Sequence, residues 1–281
     1  MIISVASGKG GTGKTTVAVN MALSLNRNTQ FLDCDVEEPN AHIFLKPKIT
    51  KRKSVKIPIP EIDETKCNYC GKCQEVCAYN AIAVMKDKVL VFPQLCHGCG
   101  GCSLFCPEKA IKETGKEIGI IQIGKSGAIE FVNGKLNIGE AMSPPLIKAV
   151  KKHIVNNGVV IIDAPPGTAC PVIEAVEGSD YCILVTESTP FGLNDLILAV
   201  EVIRKLKIPF GVVINRSDIG NEGVFEYCHK ESIPVLMEIP FSRKIAEAYS
   251  NGIPMIEAMP GYRDEFIRLY ENILNMIKKK K

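Results

Sequence analysis

Eight of the chain's twelve cysteines fall between Cys67 and Cys106, and they arrive twice in the same order. Cys67, Cys70, Cys73 and Cys77 recur 29 residues later as Cys96, Cys99, Cys102 and Cys106, and Ala81-Ile82 recurs as Ala110-Ile111. Each half reads C-x2-C-x2-C-x3-C. Three thiols so close in sequence converge on one small object, and thiolate charge and sulfur softness select iron–sulfur or zinc. A disulfide scaffold belongs to short secreted chains. Here there are 281 residues, and Met1 opens onto an apolar strand without a signal peptide's basic region. The expectation is a ligating segment in a cytoplasmic protein. Cys34, Cys182 and Cys228 stand in apolar or helical stretches and read as core.

Around that segment strands and helices alternate. An apolar strand, Ile2 to Ala6, runs into a glycine-rich loop and then a helix from Lys14 to Leu25; a second strand runs into Asp33. From there to about Lys56 periodicity is lost. Residues 48–56 are lysine-rich, and Ile57-Pro58-Ile59-Pro60 reads as an extended linker. The rhythm returns with strands at 118–123, 158–163, 181–186, 210–215 and 234–239, between helices at about 144–155, 191–207, 222–231 and 242–249. Continuous apolar strands separated by helices make a mostly parallel, doubly wound sheet covered on both faces. The expected fold is α/β: one domain, residues 1–56 plus 115–281, interrupted by a small α+β insert over residues 57–114, between the second and third strands.

Gly8-Lys9-Gly10-Gly11-Thr12-Gly13-Lys14-Thr15 fits G-x-x-x-x-G-K-S/T and lies between a strand and a helix, the context that gives the motif meaning. Its glycines let backbone N–H groups wrap a polyphosphate, and the helix N-terminus adds partial positive charge. Lys14 then serves the terminal phosphates and the Thr15 hydroxyl holds Mg²⁺. Val159-Val160-Ile161-Ile162-Asp163 is a buried strand ending in a carboxylate, which the open-sheet rule sets beside the phosphates. Capping of the next turn is the plain alternative for Asp33 and Asp163.

With its extra lysine, the run Gly8 to Thr16 resembles the deviant phosphate loop of the MinD/ParA/nitrogenase iron protein superfamily. The resemblance implies a P-loop ATPase that forms an ATP-dependent homodimer, or a heterodimer with a close paralogue. It makes Lys9 the residue that reaches the partner's ATP. Asp33-Cys34-Asp35, leading to Glu37-Glu38-Pro39-Asn40, resembles the first switch, in which Asp35 orients the attacking water and Asp33 helps hold the Mg²⁺ shell. Asp163 to Thr168 resembles a Walker B strand and second switch. Val213-Ile214-Asn215-Arg216 and Glu238-Ile239-Pro240 resemble adenine-contacting strand ends, with Asn215 able to read the base edge. Thr186 to Gly192 resembles a segment of MinD-like ATPases that carry an inserted ferredoxin, although Ser188 stands where proline is expected.

The cysteine repeat resembles the bacterial ferredoxin run, in which three cysteines ligate one cluster and the fourth ligates the other. The resemblance implies a 2×(4Fe–4S) domain with one cluster on Cys67, Cys70, Cys73 and Cys106, and the other on Cys77, Cys96, Cys99 and Cys102. Zinc is the alternative. Ala78 replaces a proline that is not a ligand, and His97 has no ligand role beside a full cysteine set.

A net charge of +3 points away from nucleic acid, and no apolar run reaches the length of a membrane span. The C-terminal helix carries Phe266, Leu269, Tyr270, Ile273, Leu274 and Ile277 on one face before Lys278 to Lys281. It reads as docked on the sheet, with membrane-surface binding as the alternative. The expected function is an ATP-gated electron donor to a redox partner. The alternatives are an iron–sulfur carrier of the Mrp type, whose partner is a cluster acceptor, and a positioning ATPase of the MinD/ParA kind. Cys170, seven residues after Asp163, matches a cluster-ligating interval of the nitrogenase iron protein, with a buried structural thiol as the plainer reading.

Overall fold

Strand β1 (Ile2–Ser7) is largely apolar and lies in the interior of a nine-stranded sheet. The computed structural model describes residues 1–26, 28–155 and 158–279, so Lys280 and Lys281 of the basic tail lie outside the described residues. After β1 come α1 (Lys14–Leu25), β2 (Thr29–Asp33), α2 (Ala41–Leu45), β3 (Lys48–Ile62), α3 (Lys72–Glu75), β4 (Ile82–Val84), β5 (Val89–Val91), α4 (Gly101–Leu104), β6 (Ile111–Ser126) and β7 (Ile129–Leu136). The remainder is α5 (Pro144–Lys151), β8 (Val159–Pro166), α6 (Cys170–Val176), β9 (Tyr181–Glu187), α7 (Pro190–Lys205), β10 (Phe210–Asn215), α8 (Gly223–Lys230), β11 (Val235–Ile239), α9 (Arg243–Ser250), α10 (Met255–Ala258) and α11 (Tyr262–Lys279).

The sheet order is β11-β10-β9-β1-β8-β2-β7-β6-β3. Pairing is parallel from β11 through β7 and antiparallel across β7, β6 and β3. Side chains alternate across the strands and split the core in two. Leu32, Ile162, Leu184 and Ile214 pack with Leu146, Ile147, Val172, Leu196 and Val224 from the helices of one face. Phe31, Ile161, Ile183 and Val213 pack with Val17, Met21, Phe44 and Ile256 on the other. Phe266, Leu269 and Ile273 of α11 are buried there too, so its apolar side is docked on the sheet. No helix among the described residues is long and apolar enough to cross a membrane.

Two strands differ from the sequence reading. Residues 48–62, read as an irregular lysine-rich stretch and a linker, form one long edge strand, β3. Pro58 and Pro60 are tolerated because an edge strand has an outer side on which no N–H is needed. β7 was not expected, since its polar Glu130, Asn133 and Lys135 interrupt the apolar pattern. The cysteine segment therefore sits at the tip of a two-stranded arm, β3 and β6, that grows out of the main sheet.

The lobe at the tip keeps the repeat in its backbone. Left-handed residues recur at the same interval: Tyr69 and Gly98, Gly71 and Gly100, Asn80 and Lys109. Asp63 N–H donates to Ala110 O at 2.7 Å, and Phe92 N–H, its equivalent, donates to Ala81 O at 2.8 Å. Each half thus closes on the other by a pseudo-two-fold exchange. Ile82, Val89 and Ile111 make a small core with Cys73.

Candidate functional site

The loop after β1 and the start of α1 form the floor of a cleft of about 430 Å³ at the C-terminal ends of the parallel strands. Gly13 turns the chain there at φ 94°, and a Cβ on it would stand 2.4 Å from Asn215 Nδ2. Gly8 is held as closely, its missing Cβ only 2.2 Å from Asp195 O. Gly10, Gly11, Thr16 and Pro240 line the cleft, whereas Thr12 is buried behind it.

Lys14 Nζ lies 3.2 Å from Asp35 Oδ2 and 3.2 Å from Asp163 Oδ1. The Thr15 hydroxyl donates to Asp163 Oδ2 at 2.6 Å. Burial alone pulls the Lys14 pKa down, but Asp163, Asp35 and Asp33 together push it above the usual lysine range. Burial, reinforced by the neighbouring carboxylates, holds the Asp33 carboxyl well above its ordinary value. Asp35 is shifted upward as well, with burial outweighing the pull of Lys14. Three buried carboxylates and one cation leave the site short of positive charge. Its donors are hard oxygens, which fit a Mg²⁺ ion.

Asp33 does something other than what the sequence implied. Its Oδ1 accepts from Asp35 N–H at 3.2 Å and its Oδ2 from Ala41 N–H at 3.1 Å. It is fully buried and shapes the acidic loop from beneath, away from the cleft. Asn215 is likewise occupied: Nδ2 donates to Thr12 O at 2.9 Å and Oδ1 accepts from Arg216 N–H at 3.1 Å. It braces the phosphate loop from the cleft wall instead of presenting a free amide.

Lys9 points to the α7 side of the loop, 4.0 Å from Glu187 Oε2 and 3.9 Å from Asp195 Oδ2. Arg216, which lines the cleft, pairs with the other oxygen of Glu187 at 2.6 Å. Asp195 was not singled out from sequence, and Glu187 and Arg216 were read only as members of longer segments, without this pairing. Glu187 carried a usable signal, because it is a carboxylate at the C-terminal end of a parallel strand.

In the lobe the eight thiols sort into two cavities. Cys67, Cys70, Cys73 and Cys106 line one, walled by Ile62, Val84, Val89 and Ile111. Cys77, Cys96, Cys99 and Cys102 line the other, together with Pro58, Pro60 and Glu113 of the arm. Each set takes three cysteines from one half and the fourth from the other. Cys77 and Cys106 Sγ accept N–H bonds from Ala81 and Ala110, both at 3.3 Å. Among the described residues no three His, Cys, Asp or Glu side chains converge at single-metal-ion spacing. All-thiol donors around a small, largely apolar cavity fit an iron–sulfur cluster. The rings of Tyr79 and His97 stack at the edge of the second cavity, 3.4 Å between centroids. Elsewhere Cys34, Cys182 and Cys228 are buried, with thiol pKa values pushed up by burial, to about 12 for Cys182 and about 11 for Cys228. Cys170 is exposed, at the start of α6, so the buried-thiol reading does not hold for it.

Residues 3–255 match the CobQ/CobB/MinD/ParA nucleotide-binding domain. The chain belongs to that family. An uncharacterized protein of Methanocaldococcus jannaschii is 33% identical over 99% of this chain and 97% of its own length. A protein of Pyrococcus horikoshii named as an iron–sulfur cluster carrier is 27% identical, covering 98% of this chain and 86% of the relative. In fold the chain resembles the septum site-determining protein MinD of Pyrococcus horikoshii, solved with Mg-ADP, at TM-score 0.60 and 20% identity over 97% and 95% of the two chains. The chain therefore carries a MinD/ParA-type P-loop nucleotide-binding domain.

Proposed function

We propose that the protein is a dimeric ATPase with two 4Fe–4S clusters in an inserted ferredoxin-like domain, and that ATP binding and hydrolysis gate electron delivery to a partner protein. The observation that carries this reading is the sorting of eight cysteines into two complete four-thiol cavities, on an arm continuous with the sheet that forms the nucleotide cleft. When bound, the clusters supply one-electron transfer. Residues 57–114 are the insert and residues 1–56 plus 115–281 the ATPase domain; β3 and β6 run across both boundaries and make the joint stiff.

Lys14 exchanges its carboxylate contacts for the terminal phosphates of ATP. Thr15 and Asp163 would hold Mg²⁺, while Asp33 fixes the backbone of the loop that carries Asp35. Asp35 orients the attacking water. Lys9 leaves Glu187 and Asp195 to reach the nucleotide of the opposite subunit. Pro240 and Asn215 border the base.

A second reading, cluster transfer to an acceptor, is favoured by the names of relatives such as the Pyrococcus horikoshii carrier. Against it, among the described residues outside the lobe only Cys170 offers an exposed thiol. Mixing the reduced, loaded protein with an acceptor in its holo form, which can take electrons, and in its apo form, which can take iron, decides between the two. Electron delivery requires that the acceptor is reduced while iron stays with the donor; iron recovered on the acceptor overturns it. The loaded protein is expected to hold about eight iron and about eight sulfide per chain.

A further inference from the structure

We propose that the outer edge of β3, from Lys48 to Lys56, is a docking site for an acidic, extended segment of a partner protein, which adds there as a further strand of the sheet. β3 is the last strand in the sheet order, so its outer row of backbone N–H and C=O groups has no strand beside it. A polypeptide completes such a row with main-chain hydrogen bonds.

The charge says which polypeptide. Lys48, Lys51, Arg52, Lys53 and Lys56 are all exposed, and Glu61 is the strand's lone anion. The excess of cations on this one strand is larger than the excess of three on the whole chain. Nearby lysines are paired: Lys66 with Asp63, Lys72 with Glu75, Lys116 with Glu140 and Lys125 with Glu130. Among the described residues none of the five β3 cations has an ion pair or a side-chain hydrogen bond. A lysine or two is enough to keep a free edge from aggregating. Five unpaired cations exceed that need and leave a surface complementary to carboxylates.

The same charges exclude a second copy of this chain as the occupant, because β3 against β3 would set like charges opposite one another. Side-chain alternation puts Arg52 on the opposite face from Lys51 and Lys53, so the added strand meets cations on both faces. Pro58 and Pro60 end the site, since they leave the outer edge beyond Lys56 without N–H donors. They also line the second cysteine cavity, so a partner docked on β3 is held next to it. That consequence rests on the proposed function; the docking does not.

The probes are peptides of about ten residues, a usual strand length being somewhat shorter. One is built of Thr and Glu, and the other has every Thr replaced by Pro, with equal charge but no ability to pair as a strand. Binding is read by fluorescence anisotropy, and strand addition by amide hydrogen exchange over residues 48–56. The Thr/Glu peptide is expected to bind and to slow exchange on β3, and the Pro peptide to do neither. The triple variant Lys51→Glu, Arg52→Glu, Lys53→Glu should weaken binding by about tenfold or more, and the corresponding Gln variant in the same direction but less. Equal binding of both peptides overturns strand addition. Tighter binding of single-stranded DNA or of phosphatidylglycerol vesicles than of the Thr/Glu peptide overturns the choice of partner. Iron content and ATP turnover of the variants are measured in parallel and are expected to be unchanged, which separates this proposal from the assignment of function.

Discussion

Lys14 stands between Asp35 and Asp163 with Asp33 close behind, so its loss has two readouts. Under the proposed function, Lys14→Ala removes the charge that serves the terminal phosphates and should abolish ATP binding, checked by calorimetry. Under the same proposed function, Asp35→Ala removes only the group that orients water. It should bind ATP within about threefold of the parent and lose turnover on the order of a hundredfold. Equal loss of binding in both variants would show that Asp35 is misassigned. Stability gives the second readout. Lys14 lowers the pKa of Asp33 and Asp35, so without it both rise further above their unfolded values. A carboxyl whose folded pKa is raised binds its proton more tightly in the folded state, so stability falls as pH rises from the unfolded value through the folded one. Thermal melts should therefore show a larger Lys14→Ala penalty at pH 8 than at pH 5. An equal penalty at both would mean that the carboxylates are not coupled to Lys14.

At the scale of elements, the lobe is two copies of one turn-and-helix unit that exchange their fourth cysteine. Cys77 belongs to the first half by sequence and to the second cavity by position. Cys77→Ser should perturb the cluster otherwise held by Cys96, Cys99 and Cys102, and leave the one on Cys67, Cys70, Cys73 and Cys106 intact. Electron paramagnetic resonance of the reduced variant is the check; loss of the first-cavity signal instead would reverse the assignment. The phosphate loop and its wall form a second unit, in which Asn215 fills the space a Gly13 side chain would need. Gly13→Ala forces both a left-handed alanine and a displaced Asn215, and should destabilise the protein by about 1 kcal/mol or more, measured by denaturant titration.

Across the whole molecule the phosphate-loop cleft and the cysteine lobe are joined by a short run of chain and hydrogen bonds. Asp33 and Asp35 begin the loop that ends in α2, and only Lys46 and Pro47 separate α2 from β3. The Ser126 hydroxyl at the end of β6 donates to Leu45 O at the end of α2, and Leu136 N–H of β7 donates to Val36 O at 2.9 Å. These bonds tie the acidic loop to the root of the arm. Non-hydrolysable ATP should promote dimerisation and change the rate at which a chelator removes iron, with a coupling of about 1–3 kcal/mol. Lys9→Ala should still bind ATP but lose both responses. Sedimentation and chelation kinetics test this, and a parent protein indifferent to nucleotide in both would make the lobe a passenger.

The sequence by itself determined whatever is written in local spacing. The phosphate loop needs glycines and a lysine at set intervals, and the cysteine repeat needs three thiols within seven residues; both were legible, as were the apolar strands that carry Asp33 and Asp163. Tertiary structure decided what depends on which neighbour arrives. β3 looked irregular because an edge strand tolerates lysines and prolines that a central strand cannot. Asp33 and Asn215 are types that could face a ligand, but packing turned the carboxylate of Asp33 onto the backbone of its own loop and the amide of Asn215 onto Thr12 of the phosphate loop. The salt-bridge partners of Lys9 come from β9 and α7, far along the chain, and no local pattern names them. Spacing sets which atoms can converge on one ligand; only the packed fold sets which of them are free to do so.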